Sequence, residues 1–462
     1  MHMQGKLLVV INQIRFSYWF LPALMAFAAV ALALAAVALD RWLGDDWAAD
    51  FHWISVNGPE GARALLSTIA GSMITVAGVT FSITVAAVAS ATNHFGPLLV
   101  TSFLQDRGNQ ITLGVFIATF LYCLLVLQTV ANQADGNNAF VPQVALFIAL
   151  VMTLASIGVL IYFIHHVPQT VHVSHLTARV GRELLDKIGR LFPETIGEAV
   201  ERPEDSGTVK SGSADFDGEG HVIPSRDSGY IQQIDGDNLM RIAREEDLVI
   251  RIECRPGSFV GHGKPLVRVL GARVPDKHLV DRINATFTWD VMRSPIQDVM
   301  FLVTQLVQIG SRALSPGVND PLTAMSAVDW LSTALADLAK SGGPESHRAD
   351  ADGTLRVVAE PTDFSEFVDA SFGALRTYIC ADRNAALHAA GALMSLAGAV
   401  RTERQRESVL AQSAAYKAAC HQLQRDKDDL ERLDALFARF EDRARFEDHD
   451  ASPPKVAASE HN

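Results

Sequence analysis

Four long apolar stretches lie in roughly the first third of this 462-residue chain, and the remainder contains none. They cover residues 16–39, 64–91, 111–131 and 142–164. A helix needs about 20 mostly apolar residues to cross the hydrocarbon core of a bilayer. The sequence therefore predicts an α-helical membrane protein with four transmembrane helices, followed by a large water-soluble part.

The charges that flank these stretches predict the orientation. Lys6 and Arg15 precede the first stretch, Asp45 and Asp46 follow it, and Arg179 lies beyond the fourth. Short segments rich in Lys and Arg remain on the cytoplasmic side of a membrane. We expect a multi-pass protein of the bacterial inner membrane, with the lipid bilayer as a partner and with both termini and the soluble part in the cytoplasm.

The overall charge and the cysteines argue against several kinds of site. The chain has 39 Lys and Arg against 52 Asp and Glu, a net charge of −13, whereas nucleic-acid-binding surfaces need a basic excess. Its cysteines are scattered without a C-x-x-C pair, at Cys123, Cys254, Cys380 and Cys420. We expect no nucleic-acid partner, no disulfide framework and no cofactor.

The second apolar stretch carries small and hydroxyl residues at three- and four-residue steps, which places them on one helical face. These residues are Ser67, Gly71, Thr75, Gly78, Ser82 and Asn93. One interpretation is close helix packing, either at the centre of the bundle or between copies of an oligomer. The other is a helix that lines a pore or a substrate path. No stretch has an ionisable residue near its middle, which disfavours a carboxylate-driven pump.

Four histidines follow the fourth stretch: His165, His166, His172 and His175. The last two are three residues apart on one helix face, a spacing that can hold a metal ion. A group of histidines that senses pH and ordinary interfacial histidines are the alternatives. No acidic or thiol partner is near them in sequence, so they are weak metal candidates.

The sequence predicts four further regions after the transmembrane domain of residues 1–166. A juxtamembrane helix and a flexible linker occupy 167–220, a small β-barrel or sandwich-like module 221–275, a helical cytoplasmic domain 276–442 and a disordered tail 443–462. Within the helical region, residues 341–353 are expected to be a disordered insertion, and residues 354–361 a short strand.

The β module is predicted from strands at 229–234, 248–254 and 264–270, with a Pro-Gly turn at Pro256-Gly257. Its pattern resembles the biotinyl and lipoyl carrier domains. Those domains carry their cofactor on a lysine, and no lysine lies between Gly229 and Arg255. A structural adaptor is therefore the favoured interpretation.

A group of polar residues is expected around the turn between two helices at 296–314 and 322–339. These residues are Arg293, Asp298, Arg312, Ser315, Asn319, Asp320 and Thr323. One interpretation is a helical hairpin in which Asp320 caps the second helix and Pro321 begins it. The other is a binding site for a small anion or a partner loop. No nucleophile and base can be paired, so no catalytic residue is predicted.

Several sequence motifs together carry a family resemblance. They are AGSMITVAGVTFSIT at 70–84, DR at 106–107, LGVF at 113–116, FIHH at 163–166, PGSFV at 256–260, QDV at 297–299 and RALSPGVNDPLTA at 312–324. In this order they resemble a family of bacterial predicted membrane proteins, domain of unknown function 2254. The resemblance implies the four-span architecture, but it supplies no catalytic residues.

Two main functions remain open from the sequence. The first is an oligomeric pore or transport component, a homo-oligomer with a cytoplasmic assembly or regulatory domain, for an unknown solute or ion. The second is a membrane-anchored ligand sensor or scaffold, and a membrane-bound enzyme is the third possibility.

Overall fold

The computed structural model describes residues 19–43, 58–95, 107–130, 140–171, 173–200, 220–270, 274–423 and 426–450. The chain divides into two compact units, Met1–His175 and Leu176–Asn462. The histidine at 172 and most of the predicted linker, residues 201–219, lie outside the described residues.

The described residues of the first unit form four long helices: α1 (Phe20–Leu43), α2 (Pro59–Phe95), α3 (Arg107–Thr129) and α4 (Gln143–Val171). Each is long and apolar enough to cross a membrane. The prediction of four apolar helices is therefore confirmed. Helix α5 (Val173–Ile188) follows α4.

Helix α3 is the central helix of this unit. In its most apolar segment 56% of the residues are buried, against 22–28% in the other three helices. Tyr122 of α3 donates a hydrogen bond to the carbonyl oxygen of Ala145 at 3.0 Å, and the hydroxyls of Thr119 and Ser156 lie 3.1 Å apart. Buried hydroxyls that pair across helices in this way fix the position of α4 against α3.

Asp40 links the first helix to the beginning of the fourth. Its buried carboxylate accepts hydrogen bonds from the backbone N–H groups of Val144 and Ala145 at 2.8 and 2.9 Å. The first N–H groups of a helix have no partner inside that helix. Asp40 therefore caps α4 from a distant part of the chain.

Where the structure describes it, the second unit is a mixed α/β structure with two sheets. Its strands are β1 (Glu198–Ala199), β2 (His221–Pro224), β3 (Gly229–Ile234), β4 (Val249–Ile252), β5 (Phe259–Val260), β6 (Pro265–Leu270), β7 (Phe287–Asp290), β8 (His347–Ala349) and β9 (Leu355–Ala359). One sheet has the order β1-β8-β9-β4-β6-β2, and the other has the order β5-β3-β7. Within the described residues neither sheet closes into a barrel.

Helices surround these sheets and continue to the end of the described chain. They are α6 (Gly236–Glu245), α7 (Lys277–Asn284), α8 (Val299–Ala313), α9 (Pro321–Ser341), α10 (Phe364–Val368), α11 (Ala374–Ile379), α12 (Arg383–Ala397), α13 (Glu403–Leu423) and α14 (Lys427–Asp450). A π-helical turn, Asp369–Gly373, joins α10 to α11. Helix α14 extends beyond the predicted start of the tail at 443, and residues 451–462 lie outside the described part of the chain.

The predicted strands at 229–234, 248–254, 264–270 and 354–361 are confirmed as β3, β4, β6 and β9. Strand β4 pairs in parallel with β9, so the larger sheet combines parts of the predicted β module and of the predicted helical region. The sandwich-like module and the separate helical domain stay predictions.

The expected disordered insertion at 341–353 is wrong, because it contains β8. Arg348 of this strand is only 4% exposed, and its guanidinium donates to the carbonyl oxygens of Glu194, Ile196 and Gly197. A charged side chain that is buried needs such hydrogen-bond partners. Burial lowers the pKa of Arg348. A single buried side chain thus attaches the segment after α5 to the larger sheet.

Candidate functional site

The second unit contains a cavity of about 560 Å³. Its walls come from β4, from the turn between β4 and β5, from the segment that leads into α8, and from α10. The polar side chains that line it include three arginines and several carboxylates: Arg251, Arg255, Arg293, Glu253, Asp298, Glu360 and Glu366. Its volume is in the range of small-molecule sites in proteins.

The Pro-Gly turn and the start of α8 meet at this cavity. Gly257 has a φ of +85°, and a Cβ atom built on it would lie 2.1 Å from the Oδ2 atom of Asp298. Only glycine fits there, because any other residue would be strained by the positive φ and its Cβ atom would collide with Asp298. Two motifs about 40 residues apart in the sequence, PGSFV and QDV, therefore form one surface.

Asp298 holds this surface together. Its Oδ1 atom accepts a hydrogen bond from the N–H of Phe301 at 3.1 Å, and its Oδ2 atom accepts one from Nε of Arg293 at 2.8 Å. The residue is 3% exposed. Burial raises the pKa of Asp298, and the opposing effects of Arg293 and the backbone N–H groups do not cancel that increase. Asp298 is thus both the cap of α8 and the anchor of Arg293.

The segment before α8 is fixed by further bonds to its neighbours. Gln297 exchanges two hydrogen bonds with the backbone of Ile234, at 2.8 and 3.1 Å, as a neighbouring strand would. Lys187 of α5 donates to the carbonyl oxygens of Pro295 and Ile296. Arg293 is therefore presented from a segment that has little freedom to move.

Arg255 joins the Pro-Gly turn to the beginning of α10. Its Nη1 atom donates to both carboxylate oxygens of Glu366, at 3.1 and 2.9 Å, and to the hydroxyl of Thr362 at 3.3 Å. The side chain of Glu366 is 48% exposed, so this pair lies at the mouth of the cavity and contributes little to stability.

The predicted polar turn is divided between the two ends of α8. Arg293 and Asp298 lie at its beginning, where they line the cavity, whereas Arg312, Ser315, Asn319, Asp320 and Thr323 lie at and beyond its end. A 15-residue helix is about 22 Å long. The expectation that all seven residues surround one turn is therefore wrong, because α8 separates them.

The second group forms the expected helical hairpin. Asp320 accepts hydrogen bonds from the backbone N–H and the hydroxyl of Thr323, at 3.2 and 2.6 Å, and Pro321 begins α9. Asn319 has a φ of +49°, a conformation that asparagine tolerates better than most residues. A binding role for this turn stays a prediction.

The stripe of small residues on α2 faces away from the rest of its unit. Ser67, Gly71, Thr75, Gly78 and Ser82 are all exposed, whereas the opposite face of α2 buries Leu66, Met73 and Ala77. A Cβ atom added at Gly71 or Gly78 would meet nothing within 4 Å. The expectation of a helix at the centre of the bundle is wrong, because α3 has that place. An interface between copies and a pore lining stay predictions, and the side chain of Asn93 lies outside the described ones.

The histidines do not form a recognisable metal site in the described residues. The ring of His166 stacks on Tyr162 with 5.0 Å between ring centroids. Among the residues that the structure describes, His165, His166 and His175 belong to no group of three potential metal ligands. His172 lies outside the described residues, so the four-histidine hypothesis stays open.

The sequence did not predict that Arg251, Arg255, Thr362 and Glu366 belong to one site. The Pro-Gly turn was the available signal, because it marks a place where backbone approaches another group closely. Glu366 is 111 residues from Arg255, and nothing in the sequence between them shows that they pair.

The described chain has four helices suited to a membrane, followed by a mixed α/β unit with a ligand-sized cavity. These features define a predicted membrane protein with a second folded unit. The chain belongs to the DUF2254 family, described as predicted membrane proteins, whose model matches residues 15–395. This match confirms the resemblance found in the sequence.

The chain is also similar to uncharacterized proteins of Mycobacterium bovis and Mycobacterium tuberculosis. It is 31% identical to each over 326 residues, which cover 69% of this chain and 60% of the relative. The matched region thus spans less than two thirds of those relatives. No solved structure matches the chain.

Proposed function

We propose that this protein is a membrane-anchored receptor for a small polar ligand, which binds in the cavity of the second unit. The observation that supports this proposal is the construction of the cavity. Gly257 comes from the turn after β4, whereas Asp298 and Arg293 come from the segment that leads into α8, and the two segments meet beside a volume of about 560 Å³. In this proposal the second unit lies in the cytoplasm, as the flanking charges predict.

The proposal is tested by blocking the mouth of the cavity. Thr362 lines the mouth, and Thr362→Trp would fill it; Thr333→Trp, on an exposed position of α9, is the matched control. A library of polar metabolites is screened for thermal stabilisation of the full chain in detergent. A ligand at 100 times its Kd stabilises a protein by about 2.7 kcal/mol.

We expect at least one metabolite to stabilise the wild-type chain and the Thr333→Trp control but not Thr362→Trp. If no metabolite stabilises the wild-type chain, or if every stabilising metabolite acts equally on Thr362→Trp, the cavity is not a receptor site.

A second candidate function is an oligomeric pore or transport component. It is favoured by the outward stripe of α2, where the hydroxyls of Thr75 and Ser82 donate only to the carbonyl oxygens of Gly71 and Gly78 within the same helix, among the bonds described. Such a surface suits close contact with another helix. In this candidate, the second unit regulates the assembly.

A further inference from the structure

Most of the carboxylates that line the cavity are already paired, whereas two of its arginines keep N–H groups without a partner among the described residues. Most of its carboxylates already accept bonds from arginines: Asp298 from Arg293, Glu366 from Arg255, and Glu253 from Arg268 at 3.1 Å. The other lining carboxylate, Glu360, is exposed to solvent. Three of the four carboxylates that line the cavity are therefore already paired with an arginine.

Two of the arginines that line the cavity, Arg255 and Arg293, use only some of their N–H donors in the described bonds. A guanidinium has five N–H donors and no acceptor. Arg293 bonds Asp298 through Nε and Nη2, which leaves its Nη1 group without a partner among the described residues. Arg255 bonds Glu366 and Thr362 through Nη1, so its Nε and Nη2 groups are likewise without a partner in the described part of the chain.

Arg293 is also held in place before any ligand arrives. It is fixed by the buried Asp298 and lies 5.7 Å from the centroid of the Phe301 ring, whereas Arg255 pairs with the half-exposed Glu366. An arginine that is already oriented loses less conformational entropy when it binds a ligand. The adjacent Nε and Nη2 groups of Arg255 fit two oxygens of a carboxylate or a phosphate, and Nη1 of Arg293 offers a further donor.

Resting on the proposed receptor function, we infer that the ligand carries an oxyanion, a phosphate or a carboxylate, which the free N–H groups of Arg255 and Arg293 bind. The volume of about 560 Å³ exceeds that of the anion alone, so the ligand has a further polar or apolar body. Phe192, Met300 and Phe367 line the cavity and offer apolar contacts to that body.

The inference is tested by titrating the full chain in detergent with three probes: inorganic phosphate, citrate and the polyamine spermidine. Arg255→Gln removes one of the proposed donors, and Arg293→Lys keeps the charge beside Asp298 but removes the guanidinium. The control is Arg241→Gln, because Arg241 pairs with Glu245 at 2.7 Å on α6, outside the cavity. Thermal unfolding of each variant verifies that it is folded.

We expect phosphate or citrate to bind saturably, and Arg255→Gln and Arg293→Lys each to weaken that binding by about tenfold or more. Arg241→Gln should change it by less than about twofold. Binding of phosphate alone would assign a phosphate ligand, and binding of citrate alone a carboxylate.

Three results would overturn the inference: no saturable binding of either anion, equal affinities in all variants, or binding of spermidine in place of the anions. The receptor proposal fails separately, through the mouth-blocking screen. A metabolite without an oxyanion that stabilises the wild-type chain but not Thr362→Trp would refute only the ligand class.

Discussion

Gly257 shows how one residue determines whether the cavity can form. Its positive φ and its contact with Asp298 are separate requirements, and each excludes other residues for a different physical reason. The turn could be predicted from Pro256-Gly257 in the sequence. The contact could not, because it depends on a pairing of segments that only the folded chain reveals.

We predict that Gly257→Ala destabilises the second unit by about 3 kcal/mol, because a strained backbone and a steric collision both contribute. The matched control is Gly263→Ala. Gly263 has a φ of +77° but nothing within 4 Å of an added Cβ atom, so only the backbone strain of about 1 kcal/mol should appear. Urea unfolding followed by tryptophan fluorescence measures the loss of stability in each of the two variants. Equal losses in the two variants would show that Asp298 does not restrict position 257.

Asp298 should give the stability of the protein a characteristic dependence on pH. Because burial raises its folded-state pKa, Asp298 contributes stability that is present below its unfolded pKa of about 3.9 and is lost as pH rises through the folded value. Asp298→Asn does not titrate and can still cap α8. The stability of the wild-type chain relative to this variant should therefore decrease as pH rises above about 4.

Unfolding midpoints of both proteins at several pH values measure this difference. A difference that stays constant or grows with pH would mean that Arg293 lowers the pKa of Asp298 more than burial raises it.

Among the elements, α2 shows how far a pattern of small residues can be interpreted. The pattern left open a place at the centre of the bundle, an interface between copies and a pore lining. The structure contradicts only the first, because it places the small residues on the face that no other part of the described unit covers. The sequence shows which residues share a helical face, because that follows from the helix period. It does not show which face meets a neighbour, since small residues suit intramolecular and intermolecular packing equally.

If this face joins copies of the chain, Gly78→Ile should reduce the oligomer, because the added side chain separates the helices. Gly158→Ile is the matched control: Gly158 is also exposed with nothing within 4 Å, but it lies on α4. Light scattering of the detergent-solubilised protein gives the mass of each variant. An unchanged mass for Gly78→Ile would exclude this face as the interface.

The strands illustrate a second limit of the sequence. Strands β3, β4 and β6 were predicted because they contain apolar runs between turn residues. Strand β8 was missed, because the polar segment around it resembles a loop and its order comes from pairing with β1 and β9. Arg348 in this strand also lacks a local signal, because its partners lie more than 150 residues earlier.

For the molecule as a whole, the division into four apolar helices and a following mixed α/β unit could be predicted, whereas the cavity could not. Apolar length alone defines the helices. The cavity depends on contacts between segments around residues 255, 298 and 366, which are far apart in the chain. Its polar lining consists of residue types that are common on any surface, so only their convergence marks a site.

The most direct test of the receptor proposal is an experimental structure of the full-length protein with the metabolite that gives the greatest stabilisation in the screen, at saturating concentration. We predict ligand density inside the cavity, with an oxyanion within hydrogen-bonding distance of the guanidinium groups of Arg255 and Arg293. An empty cavity, with the metabolite bound elsewhere on the protein, would contradict the account.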